Sequence, residues 1–258
     1  GLLRRQRQMC IRDSNDDGHR TATDLAAAGV DVAAIIDSRP DAPKSEVAEV
    51  LAGAVVTGTG GRLGIGHVDI RLAGGGRKHV QCGALAVSGG WNPNVHLTCH
   101  HRGRPAWQDD ICAFVPGEGV PPGMAVAGAA RGVFGTAGTI ADGQAQAIAQ
   151  LAEIGITTAA DTLPEAEDAP VRITPLWHVP GKKRAWLDQQ NDVTVKDVKL
   201  AHQENFRAVE HLKRYTTLGM AGDQGRTSNV LGLAIMAELT GKSIAETGTT
   251  TVSYTHLT

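Results

Sequence analysis

The chain alternates between stretches of helical, continuous and alternating hydrophobic spacing, and each predicts a different element. Arg20 to Ala28, reading RTATDLAAA, predicts a helix stopped by Gly29, and the unbroken apolar run Val30 to Ile36 predicts a buried strand ending at Asp37-Ser38-Arg39-Pro40. Helix, glycine stop, apolar strand and terminal acid together read as the later part of a βαβ unit. Its first strand and glycine-rich turn are expected to be missing. The alternation His67-Val68-Asp69-Ile70-Arg71-Leu72, with Val55-Val56 before it and the turn Gly74-Gly75-Gly76 after it, predicts a β-hairpin layer. Short strands are expected at Ala84–Val87 and Ala125–Ala127, and a helix at Phe134–Glu153 closing near Gly155.

Residues 157–184 are rich in Pro, Asp, Glu and Lys and read as a linker or an extended crossing segment; residues 186–247 read as a smaller helical module. In that module Thr194 and Asp197 have the spacing of a capping box, and Phe206, Val209 and Leu212 are placed to face a core. The chain then turns through Gly219, Gly222 and Gly225, and Thr227-Ser228-Asn229 opens an apolar helix, Val230 to Leu239, stopped by Gly241.

The two ends read differently. Met9–Ser14 (MCIRDS) and Val252–His256 (VSYTH) can be encoded by DNA strings that are reverse complements, as a fragment carrying the same transposon-type adapter at each end would be. Residues 1–14 and 252–258 are therefore taken as translated adapter and set aside from fold reasoning. The expected organisation is a dinucleotide-binding domain at 15–156, a crossing segment at 157–185 and a helical domain at 186–251.

Composition narrows the function classes. Hydrophobic residues make up 41% and charged residues 20%, ordinary for a globular chain, and the net charge of −2 leaves no basic footprint for nucleic acid. Few aromatics and 32 glycines point to an α/β protein with many backbone turns. Of four cysteines none forms a C-x-x-C pair, which indicates neither a disulfide framework nor a thiolate metal site. No apolar run approaches membrane-spanning length, so the expected compartment is the cytoplasm.

Two places have the parts of an anion site. The turn Gly128 to Thr136 lies between a predicted strand and a predicted helix, where small residues let backbone N–H groups approach a diphosphate and the helix N-terminus favours negative charge. A tight strand–helix connection explains the same residues. Thr227 and Ser228 at a helix start, with Arg214 and a Gln nearby in sequence, could cradle an anion or serve only as caps. Gly58, Gly60, Gly61, Gly64 and Gly66 imitate a dinucleotide fingerprint, but a strand follows where a helix should start. His96, Cys99, His100 and His101 are metal-capable, yet they read better as a surface loop. Lys182-Lys183-Arg184 is a short basic run that reads as a solvated face or a partner contact. Asp37 would suit a ribose hydroxyl in a nucleotide domain, but it is left out of the candidate nucleotide contacts.

The segment Asn191 to Asn229, NDVTVKDVKLAHQENFRAVEHLKRYTTLGMAGDQGRTSN, closely resembles the mid-chain segment of the α subunit of heterotetrameric sarcosine oxidase, in its runs QNDVTVKD, EHLKRYTTLGM and DQGRTSN. The resemblance extends over most of Asn15 to Thr251. It implies an α/β fold, a truncated two-dinucleotide-domain, flavoprotein-reductase-like (Rossmann-type) domain followed by a small helical domain. It also implies oxidative demethylation of sarcosine to glycine with tetrahydrofolate and oxygen, giving H2O2 and methylenetetrahydrofolate, in a complex with β, γ and δ subunits.

The cofactors it implies are NAD in this subunit, FMN shared with the β subunit, and FAD on the β subunit. Residue by residue, Ala129, Phe134 and Thr136 match the NAD-contacting turn, where Gly-Ala-Ala stands in place of the Gly-Asp of the flavin reductases. Arg214, Thr216, Thr217, Gln224, Thr227 and Ser228 match the α-side FMN contacts. No catalytic acid, base or nucleophile is expected in the chain. Related helical domains hold an iron–sulfur cluster through cysteines; no cysteine lies between residues 113 and 251, which excludes a cluster in this module. Two alternatives stay open: the α subunit of another flavin-dependent amino-acid dehydrogenase or opine oxidase, and a non-catalytic assembly module.

Overall fold

A computed structural model describes residues 8–169, 171–181 and 183–248. The chain divides into two compact units, residues 1–90 with 171–183, and residues 91–170 with 184–258. This departs from the expected split at 156/157. The helix of the Phe134–Glu153 stretch groups with the helical module, and half of the crossing segment belongs to the first unit.

In the first unit β1 (Gln8–Asp13), α1 (Asp17–Ala27), β2 (Asp31–Asp37) and β3 (Val50–Ala52) are followed by an antiparallel layer and then by β7 (Ala84–Val87). The antiparallel layer comprises β4 (Val55–Gly60), β5 (His67–Arg71) and β6 (Arg77–Gln81). The parallel sheet runs β3-β2-β1-β7, so β1 is central. Setting residues 8–13 aside from the fold is corrected here: they supply the first strand of the βαβ unit, in parallel register with Ile11 opposite Ile35 and Asp13 opposite Asp37. A strand covered on both faces needs apolar side chains on both. Ile11, Val32 and Ile35 pack with Ala22 and Leu25 of α1. Cys10, Ala34 and Ile36 pack on the other side against Val68 and Ile70 of the antiparallel layer. The alternation of β5 thus puts Val68 and Ile70 inward and leaves His67 and Asp69 on the outer face.

The second unit holds the hairpin β8 (Pro105–Gln108) and β9 (Ala113–Pro116), a 3-10 turn at Gly128–Arg131, and α2 (Thr136–Glu153). The ladder β10 (Trp186–Asp188) and β11 (Val193–Thr194) follows, then α3 (Val195–Gln203), α4 (Val209–Thr216), α5 (Asn229–Thr240) and α6 (Ile244–Thr247). The Ala125–Ala127 strand does not form; Ala127 is extended but enters the 3-10 turn without a ladder partner among the described residues. The helix starts at Thr136 rather than Phe134, because Gly135 keeps an extended backbone as its N-cap. The Thr194–Asp197 capping box is present. Helix α5 is apolar on every side and buries Leu233, Ala234, Ile235, Met236 and Ala237, as a central helix should. Val209 and Leu212 are buried as expected, whereas Phe206 lies in the turn before α4, half-buried and stacked on Tyr215. Among the described residues no helix is long and apolar enough to cross a membrane.

Candidate functional site

At the carboxyl end of β1 and β2, where an open parallel sheet offers its ligand crevice, the first unit is filled by its own side chains. Asp37 is fully buried, and the Arg39 guanidinium, 3% exposed, grips it through Nη2 to Oδ2 at 2.7 Å and Nε to Oδ1 at 3.1 Å. The same guanidinium reaches Asp16 Oδ1 at 2.7 Å and the carbonyls of Asn15 and Arg172. His19 Nε2 lies 2.8 Å from Asp37 Oδ2. Burial pushes the Asp37 carboxyl up, but the hydrogen bonds from Arg39 and His19 outweigh it and hold it below its ordinary value. Asp13 is raised: burial dominates over the N–H bonds from Asn15 and Ser14. Residues 171–177 cover this end of the sheet, Ile173 bridging Asn15 and Thr174 N–H donating to the Ser14 carbonyl at 3.0 Å. With both oxygens engaged, Asp37 has no lone pair facing a ribose.

In the second unit the turn before α2 is held open to solvent. Gly128, at φ +61°, donates its N–H to Asp142 Oδ2 at 2.8 Å, and Arg131 pairs with the other Asp142 oxygen. Ala129 and Thr136 are exposed and Phe134 is half-buried. A hollow of ≈ 460 Å³ lies beside this turn, bounded by Arg131, Gly132 and Val133 and by Gln108 and Val115 of the hairpin. The first N–H groups of α2 already hold an anion: Ala137 and Gly138 donate to the two oxygens of Asp168 at 2.6 and 3.0 Å. A Cβ on Gly135 would meet that carboxylate at 2.4–2.5 Å, so the carboxylate sits where only glycine leaves room.

The α4–α5 connection repeats the arrangement locally. Thr227 donates its hydroxyl at 2.7 Å and its N–H at 3.3 Å to Asp223 Oδ2, and Gly225 N–H donates to Oδ1 at 3.2 Å. The Thr227 hydroxyl, with the N–H groups, holds the Asp223 carboxyl below its ordinary value against a small burial effect. Thr217 and Gln224 are forced into the left-handed region at φ +62° and +52°. Such a conformation is strained for a β-branched residue. Asp188 braces the start of the loop, accepting from Gly219 N–H at 2.9 Å while capping Gln190 and Asn191.

Not every expected residue converges. Helix α5 begins at Asn229, with Ser228 as an N-cap whose side chain makes no cap bond; its hydroxyl is buried and unpartnered. Thr227 is exposed and spends its hydroxyl on Asp223. Thr216 donates back to the Leu212 carbonyl at 2.8 Å, Thr217 Oγ1 donates to the Thr216 carbonyl, and Gln224 Nε2 donates to the Ala221 carbonyl. Arg214 is exposed on the last turn of α4, and among the described residues no hydrogen bond or ion pair ties it to Gln224, Thr227 or Ser228. The residues missed by the sequence reading are the carboxylates Asp142, Asp168, Asp188 and Asp223. Only Asp223 carried a signal, an Asp two residues before a turn glycine. Asp168 acts on residues about thirty positions earlier and had none.

His96 to Arg102 form a 3-10 helix rather than a loop, and His96 Nε2 meets Arg226 Nη2 at 3.3 Å. Burial, then Arg226 and His100, hold His96 below its ordinary pKa. Of the basic run, Lys182 lies outside the described residues, Lys183 donates to the Thr59 carbonyl at 3.1 Å, and Arg184 lies over Trp186 at 5.5 Å.

Residues 182–254 match the family model described as the sarcosine oxidase A3 domain. The chain is 42% identical over 250 residues to a sarcosine oxidase subunit alpha of Rhizobium meliloti, covering 95% of this chain and 25% of that protein. It is 35% identical over 269 residues to a subunit of the same name from Corynebacterium sp. strain P-1, covering 95% of this chain and 27% of that one. Among solved structures, an L-proline dehydrogenase from P. horikoshii superposes with a TM-score of 0.62 at 18% identity, covering 95% of this chain and 47% of that one, a likeness of fold. Along 95% of its own length the chain is similar to sarcosine oxidase α subunits, and it spans about a quarter of the length of the curated relatives it matches.

Proposed function

We propose that this chain forms the part of a sarcosine oxidase α subunit that carries a NAD-contacting turn and one wall of an FMN site shared with a β subunit. The observation that carries the reading is the 217–228 loop, whose hydroxyl and N–H donors at Gly225 and Thr227 converge on one anionic group, with the Ser228 hydroxyl buried and free beside them. A donor set that holds a carboxylate suits a phosphate. Arg214 would add a bidentate fork and Gln224 a hydrogen bond. At the other site Ala129, Phe134 and Thr136 would line the nucleotide, and the α2 N-terminus now facing Asp168 would face its diphosphate.

If bound, FMN held by Arg214, Gln224, Thr227 and Ser228 would supply an electron acceptor that oxygen can reoxidise, while a flavin on the β subunit would supply the acceptor for the hydride of sarcosine. The reaction of such a complex would convert sarcosine to glycine, tetrahydrofolate to methylenetetrahydrofolate, and oxygen to H2O2. On this reading the chain binds and orients the cofactors, and the acids and bases of the chemistry come from the partner subunit.

One finding favours a second reading. Both anion seats are occupied by internal carboxylates, as expected if the chain is an assembly module whose nucleotide sites have decayed. Co-expression with a β-type subunit separates the two. FMN in the purified complex, falling about tenfold or more in Arg214→Ala, supports the flavin site; a stable complex without flavin leaves the assembly module. Sarcosine-dependent peroxide from this chain alone would sink both.

A further inference from the structure

We propose that the outer face of the β5–β6 ladder is a binding site for one divalent transition-metal cation of borderline softness, with Zn2+ as the reference ion, held by His67, Asp69 and His79. The strand period puts His67 and Asp69 on one face of β5, and the antiparallel register sets His79 directly opposite Asp69. Their inward neighbours Val68 and Ile70 are buried in the core, so the face that carries the three side chains is fixed by packing. His79 Nδ1 lies 3.0 Å from Asp69 Oδ1, His67 Nε2 lies 3.9 Å from Asp69 Oδ2, and the two imidazole centroids are 4.0 Å apart. Three such atoms, one from each side chain, lie within 4.8 Å of one another.

Ligand atoms at ~2.0–2.1 Å from a tetrahedral Zn2+ are about 3.4 Å apart, so a cation at the centre requires these exposed side chains to close in by up to roughly 1 Å through rotamer adjustment. Two imidazoles and one carboxylate select Zn2+, Ni2+ or Cu2+ over Mg2+ or Ca2+, which take oxygen ligands. The surroundings are built for the imidazoles. Gly60 is paired with His67 across the ladder, and a Cβ there would meet the ring at 2.3 Å. Gln81 lies with its amide nitrogen 3.0 Å from His79 Nε2. Turned over, that amide presents its oxygen to the Nε2–H of a His79 that ligates through Nδ1, the outer-shell bond that fixes a metal-bound imidazole.

The buried trio Asp13, His19 and Asp37 is the internal contrast. It too could group three ligand atoms, but the Arg39 guanidinium already sits on Asp37 and supplies the positive charge. On the β5–β6 face Lys183 acts on Asp69 only through space: its Nζ donates to the Thr59 carbonyl, and it forms no ion pair with Asp69 among the described residues. The outer face therefore has the ligands without an internal occupant.

The test is calorimetric titration of the full chain with ZnCl2. The expected result is one Zn2+ bound with a submillimolar dissociation constant, weakened about tenfold or more in each of His67→Ala, His79→Ala and Asp69→Asn, and less in Gln81→Ala. His96→Ala, on a different cluster, leaves it unchanged. Circular dichroism of each variant checks the fold. In the Cu2+-loaded protein, electron paramagnetic resonance should show two nitrogen ligands, reduced to one in either histidine variant. Titration heat that survives in the His67→Ala/His79→Ala double variant, or no submillimolar binding by the parent chain, overturns the proposal.

Discussion

The two units handle fixed charge in opposite ways. In the first, Asp37, Asp16 and Arg39 are matched to one another beneath residues 171–177, and the crevice at the sheet end is closed. In the second, the carboxylates of Asp168 and Asp223 sit in the open on backbone N–H groups, each opposed by hydrogen-bond donors rather than by a formal cation. A buried ion pair that loses a partner leaves an uncompensated charge with nowhere to go. An exposed carboxylate at a helix N-terminus loses much less, since water replaces its bonds. The same residue types therefore make a buried ion-pair network in one place and solvent-facing caps in the other.

Arg39→Ala gives the largest effect. It should destabilise the first unit by about 3–5 kcal/mol, read as a lower urea midpoint. A loss under about 1 kcal/mol would mean that the network behaves like a surface pair after all, and the contrast between the units would fail.

Asp168→Ala sharpens the other side. Removing the carboxylate that now holds the α2 N-terminus should tighten NAD binding several-fold, at a cost to stability of about 1 kcal/mol. Unchanged affinity with the stability loss intact would mean that the α2 N-terminus is not the diphosphate seat.

Acid should also separate the units. Asp37 and Asp16 have folded pKa values below the ordinary 3.8. Their stabilisation is complete above the unfolded value, roughly from pH 5 upward, and is lost as pH falls through 3.8 towards the folded values. Asp13 is raised and works in the opposite sense, its cost disappearing as it protonates. Urea midpoints from pH 6 to pH 3, followed by amide exchange, should fall for residues of the first unit, and Arg39→Ala should flatten that fall. The smallest effect belongs to Thr217→Gly, which relieves a left-handed β-branched residue. It should raise stability by up to about 1 kcal/mol while lowering FMN retention in the β-subunit complex.

Local chemistry made much of the fold legible from sequence. The glycine stop at Gly29, the apolar run of β2, the alternation of β5 and the Thr194 capping box each act within a few residues, and each appears where its pattern lies. The failures share a different cause. β1 was set aside for the origin its codons imply, yet its alternation of Cys10 and Ile11 serves two faces of a sheet whatever that origin. Ala127 has extended backbone but no strand to pair with among the described residues. At the candidate sites, Thr217 and Gln224 gave no sign that they would adopt left-handed backbone, and the Asp168 contact joins segments about thirty residues apart. Pairing partners and long-range caps are tertiary facts, and no local period encodes them.

The cover over the first unit also has a consequence for vectorial synthesis. Its central strand pairs Met9 with Ala84, and the Arg39 guanidinium and Ser14 backbone find their last partners at Arg172 and Thr174. A nascent chain halted at residue 90 would hold every strand of that sheet but not the last acceptor of Arg39 or the last donor to Ser14. The unit that leaves the ribosome first is thus completed only after much of the other has emerged, and until then its charged end stays wet and open to proteases.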